Sequence, residues 1–261
     1  MSALKITKRR ADQLLVEQGL AESRAKAQAL VLAGVVSCAG RRIDKPGEQL
    51  AADTVLAVEG TDHPWVSRGG LKLAHALDHF RIALNGKTAL DIGASTGGFT
   101  DVLLSRGAMR VYAVDVGHGQ LAWKLRQDPR VIVHERVNAR RLTRVQVPEP
   151  IDIITCDASF IGLATVLPAP LALAAEEAEL VALVKPQFEA GREHVGKGGV
   201  VRNPAVHHEV CERATAWVWA QPGWAVVGVV ESPILGPQGN REFLLYARRS
   251  GIGGRRVLMQ S

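Results

Sequence analysis

The sequence has few cysteines and no long hydrophobic run. Its 261 residues include three cysteines, Cys38, Cys156 and Cys211, which are odd in number, far apart and without metal-ligand spacing. This excludes a disulfide framework and a zinc site, so we expect a protein of the reducing cytoplasm with no metal. No apolar run reaches the roughly 20 residues that span a bilayer, and the first residues lack a signal-peptide core. A soluble, unsecreted protein without a membrane partner is expected.

Acidic residues are outnumbered by basic ones. Lysine and arginine total 32 against 26 aspartates and glutamates, and the formal net charge is +6. This balance favours a polyanionic partner, for which RNA, DNA and anionic lipid all stay open. The hydrophobic content of 47% suffices for a sizeable core, and the length favours one full domain with a smaller one.

Residues 8–59 predict a small α+β domain. Two short helices are expected, the second with Ser23 as its N-cap, followed by a β-element with turns at 39–40 and 46–47. The region resembles the RNA-binding domain shared by ribosomal small-subunit protein four, some pseudouridine synthases and bacterial tyrosyl-tRNA synthetases. The likeness lies in R-x-D-x-L-L within residues 9–15, S-R-x-x-A at 23–27, G-x-V at 34–36 and K-P-G-E-Q-L-x-x-D at 45–53.

The resemblance implies a basic face that meets RNA phosphates by charge and shape. A solvated surface charge is an equally open interpretation of any single arginine. Residues 60–66 are predicted as a linker, in which Pro64 prevents regular structure and Trp65 is available for docking. The candidate RNA-binding residues are Arg9, Arg10, Arg24, Lys26, Arg41, Arg42 and Arg68.

Residues 67–249 predict a larger α/β domain. After a helix that opens at Ser67, five apolar, β-branched runs of strand length alternate with helix-compatible segments, which predicts a parallel sheet. Two further strands are joined by PILGPQGNR, which is too short for a helical crossover, so they are predicted to be antiparallel. By analogy, this is the pattern of Rossmann-like methyltransferases. The helix-compatible segments lie around 97–106, 119–127, 162–177 and 203–220.

The stretch ALDIGASTGGFT, residues 89–100, joins a buried strand to a glycine-rich loop. A dinucleotide site would show G-x-G-x-x-G, and Ser95 occupies the place of the second glycine. The loop suits S-adenosylmethionine, whose methionine part carries no phosphate. Asp115, 22 residues after Gly93, is placed to accept both ribose hydroxyls. The predicted cofactor-binding residues are Asp91 for the ammonium group, the loop residues Gly93, Ala94, Ser95, Gly97 and Gly98, Asp115, Asn138 for the adenine edge, and Asp157 near the methyl group.

Two kinds of methyl acceptor lack their usual motif. Amino methylation of bases goes with a Pro-Pro turn after the fourth strand, and the turn here is DASF. Carbon methylation of pyrimidines needs a cysteine nucleophile, but strand alternation turns Cys156 to the face opposite Asp157. Four ionisable residues remain at the converging ends of separate elements. They are Lys72, Asp157, Lys185 and Glu242.

In this order the four residues are similar to the catalytic tetrad of FtsJ-type ribose 2′-O-methyltransferases. With the strings VSRGGLKL, DIGASTGGFTD, GQLAWKLR, CDASFI, VKPQFE, GGVV and GNREF, the chain resembles the TlyA (haemolysin A) family from about Arg9 to Tyr246. The resemblance implies S-adenosylmethionine-dependent methylation of a cytidine 2′-hydroxyl in ribosomal RNA, free or in a ribosomal subunit. His118 departs from the family, which often has an aromatic residue there.

Several alternatives stay open at this point. Lys185 could act as a neutral base or as an ammonium that stabilises the alkoxide. A non-catalytic ribosome-assembly factor would not require all four ionisable residues. A membrane-active haemolysin would need a strongly amphipathic segment, which is not evident. Further RNA contacts are expected from Arg136, Arg140, Arg141, Arg144, Lys197 and Arg202, and residues 250–261 form a basic tail without a motif.

Overall fold

The N-terminal part of the chain folds as a small α+β unit. The computed structural model describes residues 8–21, 23–58 and 63–251. The predicted cap at Ser23 is confirmed, because its hydroxyl accepts a hydrogen bond from the Lys26 amide at 3.2 Å. Leu14, Val31 and Ile43 belong to a separate small core beneath the two helices. The elements are β1 (Lys8–Arg10), α1 (Ala11–Glu17), α2 (Arg24–Ala33), β2 (Val36–Cys38), β3 (Arg41–Arg42), β4 (Gln49–Ala51) and β5 (Ala57–Val58).

The larger domain is a seven-stranded sheet with helices on both faces. Its helices are α3 (Gly69–His79), α4 (Gly98–Ser105), α5 (Trp123–Arg126), α6 (Leu163–Val166), α7 (Pro168–Ala172), α8 (Pro186–Glu189) and α9 (Pro204–Trp219). Its strands are β6 (Thr88–Ile92), β7 (Arg110–Val114), β8 (Val131–His134), β9 (Ile151–Cys156), β10 (Ala174–Val184), β11 (Trp224–Glu231) and β12 (Phe243–Arg249).

The strand order confirms the predicted topology. The sheet runs β11-β12-β10-β9-β6-β7-β8, with β6 to β10 parallel and β12 antiparallel to both of its neighbours. The chain moves outward from β6 in one direction and then resumes on its other side at β9. This reversal opens a crevice at the carboxyl ends of β6 and β9, where open α/β sheets bind ligands.

The segment around 162–177, predicted to be helix-compatible, is helical only in its first part. Two short helices, α6 and α7, meet at Pro168, and β10 already begins at Ala174, which pairs with Ile151. Proline cannot donate the backbone hydrogen bond that a continuous helix needs at this point. The alanines and glutamates at 174–177 favour a helix locally, but pairing along the sheet outweighs that weak preference.

The two domains are joined by a docked linker. Trp65 packs on α3, and a Cβ added to Gly70 would lie 2.4 Å from its Cγ. The Val66 amide donates to Asp101 at 2.8 Å, which ties the linker to α4. Residues 59–62 and 252–261, including most of the predicted basic tail, lie outside the described residues. No helix in the described part of the chain is long and apolar enough to cross a membrane.

Candidate active site

The antiparallel pairing of β10 with β12 creates the first ion pair of the site. Val184 lies opposite Phe243, so the residues just beyond these positions meet at one edge of the sheet. Glu242 precedes β12 and is fully buried. Its Oε2 accepts a hydrogen bond from the Nζ of Lys72, on α3, at 2.6 Å. A buried carboxylate needs such a partner, because an unpaired charge would be costly in the interior.

The second ion pair lies at the ends of β9 and β10. Lys185 directly follows β10, and its Nζ lies 2.6 Å from Oδ1 of Asp157. The same nitrogen donates to the Asp157 carbonyl at 3.0 Å and to the hydroxyl of Ser159 at 2.9 Å. Three oxygens therefore lie within 3.0 Å of Nζ, two of them as hydrogen-bond acceptors and one as an ion-pair partner.

The two ion pairs form one electrostatic cluster. Burial by itself would lower the pKa of Lys72, but the carboxylates of Asp157 and Glu242 raise it above its ordinary value. Burial would raise the pKa of Asp157, but the ammonium groups of Lys185 and Lys72 hold it below its ordinary value. The charges of Lys72 and Asp157 are thus each stabilised by members of both pairs, and the four formal charges of the cluster sum to zero. The predicted tetrad is brought together by the fold.

The cluster opens into a cleft between the two domains, the interdomain cleft. This cavity of about 200 Å³ is bounded by α2 and the loop after β3 on one side and by the tetrad and the loop before β12 on the other. One hydrogen bond crosses the cleft: the backbone amide of Gln238 donates to Oδ2 of Asp44 at 3.2 Å. Its lining includes Leu32, Gly34, Arg42, Asp44, Arg68, Lys72, Asp157, Ser159, Lys185, Leu235 and Gly236.

A second cavity, the glycine-loop cavity, lies beside the first at the switch point of the sheet. Its volume is about 420 Å³. Gly93 forms its floor with φ +80°, and a Cβ there would lie 3.0 Å from the backbone of Ala158. The loop therefore requires glycine for both conformation and space. Residues that line it include Leu32, Gly93, Ser95, Asp115, Gln120, Asn138, Asp157, Ser159 and Phe160.

Asp115 and Asn138 both lie on the wall of the glycine-loop cavity, as their sequence positions indicate. Asp115 accepts hydrogen bonds from the backbone amides of Ser95 at 2.8 Å and Gly117 at 2.6 Å. These two bonds fix its carboxylate between the glycine loop and the end of β7. The side-chain oxygen of Asn138 accepts from the Arg140 amide at 3.1 Å, which leaves its NH₂ group as a donor.

The structure does not bring every predicted cofactor residue to a cavity. Asp91 is fully buried beneath the loop, where it accepts hydrogen bonds from Thr100 and Thr155 at 2.7 and 3.0 Å. Burial raises its pKa to about 7. Gly97 serves packing, since an added Cβ would lie 2.2 Å from Leu125. Gly98 lines the interdomain cleft and not the glycine-loop cavity, and an added Cβ there would lie 2.3 Å from the hydroxyl oxygen of Ser67. Ala94 is buried at the rim of the interdomain cleft.

Most of the predicted RNA-binding arginines have carboxylate partners. Arg10 and Arg24 lie 2.9 and 3.1 Å from the fully buried Asp12. The others pair as Arg9 with Glu17 at 3.9 Å, Arg41 with Glu48 at 2.7 Å and Arg42 with Asp44 at 2.5 Å. These side chains are held in place while staying partly exposed. Arg68 lines the interdomain cleft, against Gly34 of the small domain.

Sequence reasoning missed three residues of the site. Ser159 borders both cavities and binds Lys185. Phe160 is 88% exposed with φ +64°, an unfavourable conformation for this residue, and its ring lies 4.9 Å from that of Phe188. Gln187 donates to Oε1 of Glu242 at 3.1 Å. The strings CDASFI and VKPQFE contain all three, but no spacing rule reveals their partners.

Cys156 is excluded as a nucleophile. It is fully buried in the core under the sheet, and burial raises the pKa of its thiol to about 12. An open α/β sheet with a ligand-sized cavity at its switch point and a charged tetrad beside it defines the class of Rossmann-like methyltransferases.

Comparisons with known proteins agree with this class. Residues 9–56 match the S4 domain, and residues 65–249 match the FtsJ-like methyltransferase family. The 16S/23S rRNA (cytidine-2′-O)-methyltransferase TlyA of Mycobacterium tuberculosis is 49% identical, over 92% of this chain and 89% of that protein. Hemolysin A of Brachyspira hyodysenteriae is 38% identical, over 91% and 98%.

Among solved structures, a Streptococcus thermophilus protein described as a hemolysin is 46% identical with a TM-score of 0.72, and the match covers 94% of this chain and 90% of that one. The chain belongs to the FtsJ-like methyltransferase family and carries an S4 domain at its N-terminal side. The resemblance to the TlyA family is thereby confirmed.

Proposed function

We propose that this methyltransferase modifies the 2′-hydroxyl of a cytidine in ribosomal RNA, with S-adenosylmethionine as donor, in the cytoplasm. The observation that carries the proposal is the pair of ion pairs formed by Lys72 with Glu242 and Lys185 with Asp157, of which Asp157 lines both cavities. The activity named for the relative from Mycobacterium tuberculosis supports the choice of acceptor.

The glycine-loop cavity has the residues that S-adenosylmethionine requires. Asp115 offers carboxylate lone pairs to the ribose hydroxyls, and the free NH₂ group of Asn138 suits an adenine nitrogen. Gly93 leaves room for a ligand to pass close to the backbone at 157–158. Asp91 then acts indirectly, by holding Thr100 of α4 and Thr155 of β9 beneath the loop. The cofactor supplies an electrophilic methyl group attached to sulfur.

The tetrad prepares the ribose hydroxyl for transfer. Lys185 Nζ directs one N–H toward the oxygen that gains negative character, in exchange for its bond to Ser159. Asp157 keeps this ammonium in place, and Lys72 with Glu242 balances the charge around it. When bound, S-adenosylmethionine would supply the methyl group to this oxygen and would be left as its demethylated product, and the hydroxyl proton would leave to solvent. Orientation supplies much of the rate.

RNA enters through the interdomain cleft. The cleft carries Arg42 from the S4 domain and Arg68 from the catalytic side, next to the tetrad. Contacts by both domains fix one nucleotide over the site, and its base leaves the helical stack so that the ribose can reach the tetrad. The arginines held by Asp12 support this grip through phosphate contacts.

Isotope transfer tests the proposal. We expect tritium from labelled S-adenosylmethionine to appear at cytidine 2′-oxygens of ribosomal RNA or subunits, with mapping by mass spectrometry. Asp115→Ala should abolish this signal by weakening cofactor binding. Binding of RNA without transfer by the wild-type protein would instead identify an assembly factor, and lysis of membranes without transfer would identify a haemolysin.

A further inference from the structure

Glu242 has a second partner besides Lys72. Its Oε2 binds the ammonium of Lys72 at 2.6 Å, and its Oε1 accepts a hydrogen bond from Nε2 of Gln187 at 3.1 Å. The space around Oε1 is tight, since a Cβ added to Gly236 would lie 2.2 Å from it. Both oxygens of this buried carboxylate are therefore held, and its orientation is determined by one charged and one neutral donor.

Gln187 also links the two ion pairs through the backbone, because it lies on the same turn as Lys185. It lies on α8, two residues after Lys185, whose carbonyl accepts the Phe188 amide at 2.9 Å. One tight turn thus carries the ammonium that faces Asp157 and the amide that faces Glu242. A shift of this turn would move both contacts together.

A neutral donor is the type of group this position needs. The two ammonium and two carboxylate groups of the tetrad sum to zero, so a lysine or arginine at 187 would leave an uncompensated buried charge. A carboxylate there would repel Glu242. Only a neutral N–H or O–H donor binds Oε1 and preserves the charge balance.

The other end of the amide lacks a partner in the described part of the protein. Nε2 must face the carboxylate, which accepts and cannot donate, so the orientation of the amide is assigned by its partner. Oε1 of Gln187 is then buried without a hydrogen-bond partner among residues 8–21, 23–58 and 63–251. An unpaired buried carbonyl is destabilising, and an apolar side chain of the same size would avoid it.

We infer that Gln187 is a positioning residue of the active site, which holds Glu242, and through it Lys72, in the geometry that methyl transfer requires. The kinetic test of this inference rests on the proposed function. The structural test does not, because the position of Glu242 can be measured without turnover.

Two substitutions test the role. Gln187→Met removes the donor and keeps the volume, so kcat should fall about 10- to 100-fold, the range for a lost hydrogen bond to a charged group. KM for RNA and Kd for S-adenosylmethionine should stay within about twofold, the scatter of a near-neutral change. Gln221→Ala is the matched control, since Gln221 also donates one bond, to the Trp217 carbonyl at 2.9 Å, but lies outside the site.

Gln187→Glu adds a pH signature that a merely structural role lacks. Two facing carboxyl groups take up a shared proton as the pH falls, and the protonated one donates to its neighbour as the amide does. The activity of this variant relative to wild type should therefore rise as the pH falls, because the shared proton restores a donor to Glu242. The activity of Gln187→Met relative to wild type should not change with pH.

The outcomes separate the inference from the proposed function. Wild-type kcat in Gln187→Met, with Glu242 still 2.6 Å from Lys72 in its crystal structure, overturns the inference while leaving the proposed function intact. No transfer by the wild type overturns the proposed function. In that case the crystal structure of Gln187→Met decides the inference alone, by whether Glu242 leaves Lys72.

Discussion

Lys72 and Glu242 stand 170 positions apart in the chain, and their charged groups meet at 2.6 Å with almost no exposure to solvent. The contact joins the helix before the first strand of the large sheet to the start of its last strand. It therefore forms only when the whole α/β domain has folded. The catalytic arrangement and the fold of this domain depend on the same long-range contact.

Breaking this ion pair should destabilise the protein more than removing it. Lys72→Met leaves Glu242 buried and unpaired, at a cost of about 3–5 kcal/mol in the free energy of unfolding. The double variant Lys72→Met/Glu242→Leu should recover most of that loss, since no unpaired charge remains, yet stay inactive. Urea unfolding followed by circular dichroism measures both. Equal stability of the single and double variants would contradict the account.

Removal of the ammonium at Lys185 should separate chemistry from binding. Lys185→Ala should lower methyl transfer by about 10²- to 10³-fold, the usual effect of removing one preorganised donor to a developing negative charge. Heat of binding for S-adenosylmethionine should be preserved, because the cofactor contacts come from the glycine-loop cavity. Lys124→Ala, at an exposed lysine of α5 that lines neither cavity, is the control and should keep full activity. Full turnover in Lys185→Ala would refute the assignment.

Stability should depend on pH through Asp91. Its folded-state pKa of about 7 lies above the ordinary value of 3.8 because of burial, so the folded protein binds this proton more tightly than the unfolded chain. The resulting stabilisation is complete below about pH 4 and is lost as the pH rises through 7.

The Asp91→Asn variant has no ionisable group at this position, so its stability lacks this pH dependence. The difference in unfolding free energy, wild type minus Asp91→Asn, should therefore fall by a few kcal/mol between about pH 5 and pH 8. Urea unfolding of both proteins across this range is the measurement. A constant difference would show that Asp91 stays ionised in its hydrogen bonds with Thr100 and Thr155.

The glycine-loop cavity should not tolerate a methyl group on its floor. Gly93→Ala meets both a positive φ and the backbone of Ala158 at 3.0 Å, so binding of S-adenosylmethionine should weaken by more than tenfold. Gly86→Ala has the same kind of φ, +74°, and nothing within 4 Å. The Gly86→Ala variant therefore has only the conformational strain, about 1–2 kcal/mol. Its affinity for S-adenosylmethionine, measured by calorimetry, should be unchanged.

The elements of this fold were largely readable from local pattern. Alternating apolar residues predicted the strands, Ser23 marked the start of a helix, and the short PILGPQGNR segment predicted the antiparallel ending. The difference at 162–177 arose where local helix preference and sheet pairing disagree, because pairing partners are distant in sequence. The tetrad members were also found. Asp157 and Lys185 directly follow β9 and β10, Glu242 directly precedes β12, and Lys72 lies near the start of α3.

By itself the sequence determined which side chains reach that edge, because periodicity and turn chemistry act over a few residues. Only the tertiary structure decided which of them pair. The β10–β12 register places Glu242 between Lys72 and Gln187, and Thr155 of β9 binds Asp91 of β6. These contacts each span more than 50 residues of chain, which no local pattern encodes.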